Sequence, residues 1–235
     1  MVRALASAGM GEIVEFPSNG STAQGYLAVP AGGRGIPVVV IQEWWGLVPH
    51  IEDVCERFAA EGFVALAPDL FHGQKTSEPD EAGKLMMALN IDQAAKDMSG
   101  AVDKVADVSG SDRVGVTGFC MGGGLALVLA SRRPDKIKAA VPWYGLFVWP
   151  GSEPDWSTLD APVLGHYAEK DEYFTPELAE QMQQNMHAAG LDARIHVVPG
   201  ADHAFFNDTR PEVHDPEASA QCWRETLDFF RDKLG

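Results

Sequence analysis

The sequence predicts an α/β protein: a doubly wound, mostly parallel sheet with an antiparallel N-terminal edge and helices on both faces. Three observations carry this expectation. Continuous apolar, β-branched runs such as Pro37 to Ile41 and Phe63 to Pro68 read as strands buried on both faces. Helix-length segments separate such runs, and the alternation continues to the last residues with no linker, repeat or low-complexity stretch. At the centre, the strand-like run Val114 to Thr117 stops at Gly118, and an apolar helix-like run, Leu125 to Ala130, begins just past Gly122-Gly123-Gly124, with Cys120 between them.

In chain order, Glu12 to Pro17 and Ser21 to Pro30 are short β-rich pieces separated by Ser18-Asn19-Gly20, a hairpin signal. The buried strand Pro37 to Ile41 runs into Gln42-Glu43-Trp44-Trp45-Gly46. Open α/β sheets place ligands at such strand ends, and an acid there needs a partner or a chemical task. At least one of the two tryptophans is expected to be core or lid packing. His50 to Gly62 is a helix stopped by its glycine, with Cys55 packed inside it. The strand Phe63 to Pro68 leads to a polar loop, His72 to Pro79, and a short helix, Glu81 to Leu89, read together as an insertion over the sheet edge.

A helix from Ile91 to Val105 precedes the central strand. Beyond it come a strand from Ile137 to Val141, an irregular Gly151 to Asp160 segment and a strand from Pro162 to Tyr167. A helix from Pro176 to Ala189, the last strand Arg194 to Val198 and an amphipathic helix from Pro216 to Leu234 complete a single α/β domain over residues 1–235.

Composition narrows the function. With 18 basic and 34 acidic residues the formal net charge is −16, which argues against nucleic acid and anionic membranes as partners. The 3 cysteines, Cys55, Cys120 and Cys222, lie far apart without a Cys-x-x-Cys pair, so a reducing cytoplasm is expected rather than a disulfide framework. Met1 to Met10 lacks the apolar core of a signal peptide, Met1 to Ala8 reads as a frayed end, and Met10 offers a second start. No metal-ligand spacing is present, and neither a metal nor a cofactor is expected.

The stretch Gly118-Phe119-Cys120-Met121-Gly122 has the spacing of a nucleophile elbow, a sharp strand-to-helix turn that lifts its central side chain above the sheet. A helix N-terminus beside a thiol favours the thiolate and offers N–H groups to an oxyanion. Two later strand ends carry Asp171 and His203. The chain order of nucleophile, acid and histidine is that of the α/β-hydrolase fold, in which the histidine moves the proton and the acid orients the imidazole. Asp202 is a rival acid, but its side chain would have to reach its own neighbour's ring, so Asp171 is preferred.

Gly118-Phe119-Cys120-Met121-Gly122-Gly123, Gln42-Glu43-Trp44-Trp45-Gly46, Pro68-Asp69-Leu70-Phe71 and Asp202-His203-Ala204-Phe205 together resemble the dienelactone hydrolase family, from about Pro37 to the last helix. The resemblance implies an α/β-hydrolase that opens a lactone or ester through a cysteine acyl-enzyme, with no cofactor. It assigns Cys120 as nucleophile, His203 as base, Asp171 as orienting acid and Glu43 as the carboxylate that pairs with the thiol and helps ionise it when substrate arrives. Backbone N–H groups of Trp44 and Met121 would form the oxyanion hole.

The family's type member, carboxymethylenebutenolidase, holds its substrate carboxylate with two arginines, and the aligned positions here read Gly73 and Asn207. Lys75 and Arg210 are near enough in sequence to substitute. The substrate is therefore expected to differ from dienelactone, and Trp44, Trp45, Trp143, Tyr144, Phe147 and Trp149 would suit a bulkier aromatic or apolar ester, the alternative being that several of them are simply core. Trp45, Tyr144, Phe205, Lys75 and Arg210 are the candidate substrate contacts. The expected protein is a monomer or small homo-oligomer acting on a small molecule. A non-hydrolytic binder of small ligands on the same fold is the competing reading, and acyl transfer or thiol redox chemistry is a third.

Overall fold

The computed structural model describes residues 11–145, 147, 149 and 152–235; the readings placed on Met1 to Met10 and on Gly151 lie outside the described residues. The strands are β1 (Glu12–Ser18), β2 (Ser21–Ala28), β3 (Ile36–Ile41), β4 (Phe63–Pro68), β5 (Val114–Phe119), β6 (Ile137–Trp143), β7 (Val163–Ala168) and β8 (Ala193–Val198). The helices are α1 (Pro49–Ala60), α2 (Pro79–Ala88), α3 (Ile91–Ser109), α4 (Met121–Arg132), α5 (Pro176–Ala188) and α6 (Pro216–Leu234). The 8-stranded sheet has the order β1-β2-β4-β3-β5-β6-β7-β8. The pairings of β1 with β2 and of β2 with β4 are antiparallel, and the remainder are parallel. This is the mostly parallel α/β-hydrolase sheet with an antiparallel edge.

The β1–β2 turn has positive φ at both central residues, Asn19 at 39° and Gly20 at 96°, which matches the twist of a two-residue hairpin. From β3 the chain steps outward to β4 and returns on the other side of β3 as β5. Right-handed crossovers leaving in opposite directions put α1 and α4 on opposite faces. Because Ile41 pairs with Gly118, the loops leaving β3 and β5 emerge side by side at this switch point.

Strands β4 and β5 are buried along their whole length, as their unbroken apolar runs require. Helix α6 lies close on β5 because Gly115 has no side chain: a Cβ there would meet Phe230 and Leu234 at 2.9 Å. Phe58 of α1 joins the same layer, its ring 4.4 Å from that of Trp223 and 6.2 Å from that of Phe230.

Several boundaries differ from expectation. Helix α4 starts at Met121 rather than near Leu125, so the glycines form its first turn, and β5 runs on through Phe119. Close backbone approach is the reason: a Cβ on Gly118 would lie 2.2 Å from the Gly122 carbonyl oxygen, and one on Gly122 would lie 2.4 Å from that of Ile41. Strand β6 extends to Trp143, and α3 continues to Ser109, where Gly110 at φ 77° ends it in a left-handed cap.

The segment expected over the sheet edge covers the strand C-termini instead. The Trp149 indole N–H donates to the Met86 carbonyl at 3.0 Å, and a Cβ on Gly83 would lie 4.0 Å from the Trp44 ring. Among the described residues no helix is long and apolar enough to cross a membrane.

Candidate active site

Cys120 occupies the turn between β5 and α4 with φ 53° and ψ −120°, a conformation costly for a residue that carries a Cβ. The strain is held by the ladder below and the helix above: Cys120 N donates to the Trp143 carbonyl at 3.1 Å, and Gly123 N donates to the Cys120 carbonyl at 2.9 Å. Phe119 is locked beneath it by a stacked Phe206 ring 5.2 Å away. Of the other thiols, Cys55 is wholly buried, and burial pushes its pKa well up; burial together with the Glu225 and Asp215 charges pushes Cys222 up to about 12. Cys120 lines a cavity.

Asp171 follows β7 and is 3% exposed. One carboxylate oxygen accepts from Tyr173 N at 2.8 Å and Phe174 N at 2.9 Å, and the other meets His203 Nδ1 at 2.5 Å. With Nδ1 engaged, Nε2 is the ring nitrogen left for Cys120. Burial alone would lower the His203 pKa, but hydrogen bonds to Asp171 and Cys120, with their charges, raise it to about 10. Asp202 lines the cavity, while the imidazole's carboxylate partner is Asp171. The histidine loop is tied to the start of α6, since the Phe205 carbonyl accepts from His214 Nδ1, Ser219 Oγ and Asp215 N at 2.9–3.0 Å.

Glu43 is 1% exposed and lines the same cavity, but its hydrogen bond runs to Asn207 Nδ2 at 2.8 Å, and among the described residues none joins it to Cys120. The partner of Glu43 here is a neutral amide. Asn207 is fixed in that role because its carbonyl oxygen accepts from Thr209 N at 3.1 Å and Thr209 Oγ1 at 2.6 Å, which leaves its NH2 for the carboxylate. Trp44 follows Glu43, and Met121 is the first residue of α4, where an N–H has no intrahelical acceptor.

The cavity holds about 500 Å³. Both Trp44 and Trp45 line it, their rings 4.9 Å apart in an edge arrangement, so neither is simply core. Tyr144 lies behind the wall, fully buried at φ 38°, its ring 5.1 Å from the His203 ring. Its hydroxyl has no hydrogen-bond partner among the described residues. Burial first, and then the Glu43 and Cys120 charges, raise its pKa well above the usual range and keep it a donor.

Phe205 does not line the cavity: it is 0% exposed and packs on Trp143 and Tyr144, because the turn after His203 points it into the core. Trp143 and Trp149 are core as well, and Phe147 packs on Trp156. Arg210 lines the cavity with Nε donating to Glu212 at 3.0 Å, whereas Lys75 lines an adjoining groove. Sequence reasoning missed Lys170, Glu172 and Tyr173, which line the cavity beside Asp171; their adjacency to the acid was the available signal. Met86 and Val213, also lining it, carried no such signal.

The sequence profile described as "Dienelactone hydrolase family" matches residues 23–234. The chain belongs to the dienelactone hydrolase family. It is 39% identical to "Protein usf" of Aquifex pyrophilus, over 96% of this chain and 100% of that one. It is 35% identical to the "Putative carboxymethylenebutenolidase" of Aquifex aeolicus, again over 96% and 100%. Among solved structures, the "Putative Dienelactone Hydrolase" of Klebsiella pneumoniae superposes with a TM-score of 0.86 at 33% identity, covering 94% of this chain and 98% of that one. Within this dienelactone hydrolase family member, Asn207 is buried against Glu43 while Gly73 is exposed.

Proposed function

We propose that the protein is a carboxylic-ester or lactone hydrolase acting through a cysteine acyl-enzyme. The observation that carries this reading is the His203 imidazole fixed by Asp171 at 2.5 Å in the cavity that Cys120, on its strained elbow, also lines. In the proposed sequence the Cys120 thiolate attacks the acyl carbon while His203 holds the thiol's proton. The C–S bond forms as the carbonyl pair moves to oxygen, where the N–H groups of Trp44 and Met121 receive the oxyanion. Collapse expels the alkoxide, which takes the proton from His203. Water, deprotonated by His203, then cleaves the thioester and returns the thiol. No step calls for a cofactor.

Glu43, held by the Asn207 amide, is the carboxylate that assists the thiol once substrate is bound. The substrate class follows from the lining. Trp44, Trp45, Met86 and Val213 suit an apolar or aromatic acyl group, and the Arg210 guanidinium at the wall supports a role in meeting a substrate carboxylate in place of the type member's two arginines. Lys170 is a second cation at the wall. A net charge of −16 fits a small-molecule enzyme of the cytoplasm that does not engage nucleic acid or membranes.

The test is a rate assay of cis- and trans-dienelactone against short-chain p-nitrophenyl esters, beside Cys120→Ala. Cysteine-dependent cleavage, with an acyl adduct on Cys120 by mass spectrometry, is expected. Undiminished turnover in Cys120→Ala refutes the mechanism, and stoichiometric ligand retention without product favours a binder.

A further inference from the structure

Away from the cavity, β7, β8 and α6 bring four metal-binding side chains together. His166 on β7 and His196 on β8 are register partners, and their rings lie 6.1 Å apart. Cys222 and Glu225 stand three residues apart on α6, so they share one helix face. One donor atom from each of the four lies within 4.8 Å of every other.

Ordinary packing accounts for half of this cluster. His196 Nδ1 and Glu225 Oε2, 3.2 Å apart, form a part-exposed hydrogen bond of the common surface kind. It does not account for His166. That side chain is 0% exposed, its Nε2 lies 3.1 Å from Thr226 Oγ1, and its Nδ1 has no hydrogen-bond partner among the described residues. A buried ring nitrogen left without a partner costs free energy. Here it stands 3.9 Å from Glu225 Oε2, in the cluster that Cys222, 1% exposed, completes.

We propose that His166, His196, Cys222 and Glu225 bind a divalent cation of the Zn2+ class with tetrahedral geometry, pinning α6 to β7 and β8. Two imidazoles, one thiolate and one carboxylate form a donor set that borderline-soft cations select over Mg2+ or Ca2+. A tetrahedron with ordinary bond lengths spaces its ligand atoms about 3.3–3.8 Å apart. Closing the widest gap therefore takes roughly an ångström of movement, which the half-exposed His196 and Glu225 can supply. Thr226 orients the His166 ring from behind, as the outer partners of metal-bound imidazoles do. Binding forms four metal–ligand bonds and releases the Cys222 proton to solvent.

Four protein ligands leave no open position, so the site is structural. Its strands lead directly into the loops carrying Asp171 and His203, and the His166 carbonyl accepts from Tyr144 N at 2.7 Å. None of these ligands takes part in the proposed hydrolysis, and the inference stands independently of it. The members come from three separate elements, which is why no sequence spacing announces the site.

The test uses metal-stripped Cys120→Ala protein, a background that removes the other thiol–imidazole pair, titrated with Co2+ and then Zn2+. One equivalent of Co2+ should give intense tetrahedral d–d bands and a thiolate-to-metal charge-transfer band, both displaced by Zn2+. A Zn2+ concentration a hundredfold above Kd should raise Tm by about 5 °C. Cys222→Ser should abolish the charge-transfer band, and His196→Ala, at a half-exposed position that the fold tolerates, should weaken binding at least tenfold. Absence of the bands, or binding and Tm shifts unchanged in His196→Ala, would overturn the proposal even if Cys222→Ser failed to fold.

Discussion

Replacing Asp171 by asparagine tests the electrostatics of the site most directly. The rise in the His203 pKa from 6.5 to about 10 corresponds to roughly 5 kcal/mol in favour of the imidazolium, the net of burial opposing it and of Asp171 and Cys120 supporting it. An amide keeps the shape of the carboxylate. Its oxygen still accepts from Tyr173 N and Phe174 N, so its NH2 must then face His203 Nδ1. That arrangement stabilises the tautomer with its proton on Nε2, which cannot take a proton from the thiol.

Two consequences follow for activity. Ester turnover should fall by about 10²–10⁴-fold, and the alkaline limb of kcat/KM, expected near pH 10 in the parent, should move down by at least two pH units. Stability carries its own sign. A group whose pKa is raised on folding contributes fully below its unfolded value of 6.5 and loses that contribution as pH rises through about 10. Urea unfolding should therefore separate parent and variant most at pH 6 and least above pH 10. An unmoved alkaline limb with unchanged turnover refutes the assignment of Asp171 as the orienting acid.

Asn207→Ala removes the donor that satisfies a buried carboxylate, and urea unfolding should show a loss of about 1–3 kcal/mol. Its hydrolysis rate should fall as well if Glu43 must be held still. Tyr144→Phe deletes a buried hydroxyl without a partner, so Tm should hold or rise by a few degrees, whereas kcat/KM should drop if that hydroxyl donates to bound substrate. Gly115→Ala introduces a Cβ 2.9 Å from Phe230 and Leu234, and calorimetry should register about 1–3 kcal/mol of overpacking with the active-site thiol still titratable.

The sheet, its antiparallel edge and three residues of the site were legible because each rests on a local signal. Buried strands read as unbroken apolar runs, and Cys120, Asp171 and His203 each sit just past one of them. Glycines at 118 and 122 announced the elbow, since only glycine admits the backbone contacts there. Local signals also misled. Phe205 looked like a cavity residue from its place beside His203, but a turn of one residue decides whether a ring meets substrate or core.

What tertiary structure alone decided are the pairings between residues far apart in the chain. Glu43 meets Asn207, 164 residues away in the chain, because the β8 loop folds back over the end of β3. Met86 and Val213 reach the cavity from distant parts of the chain, and His166, His196, Cys222 and Glu225 converge beside the sheet from β7, β8 and α6. Periodicity and spacing report how a residue relates to its chain neighbours. They carry no information about which side chain arrives from across the sheet, and hydrogen bonding and ligation are decided by that meeting.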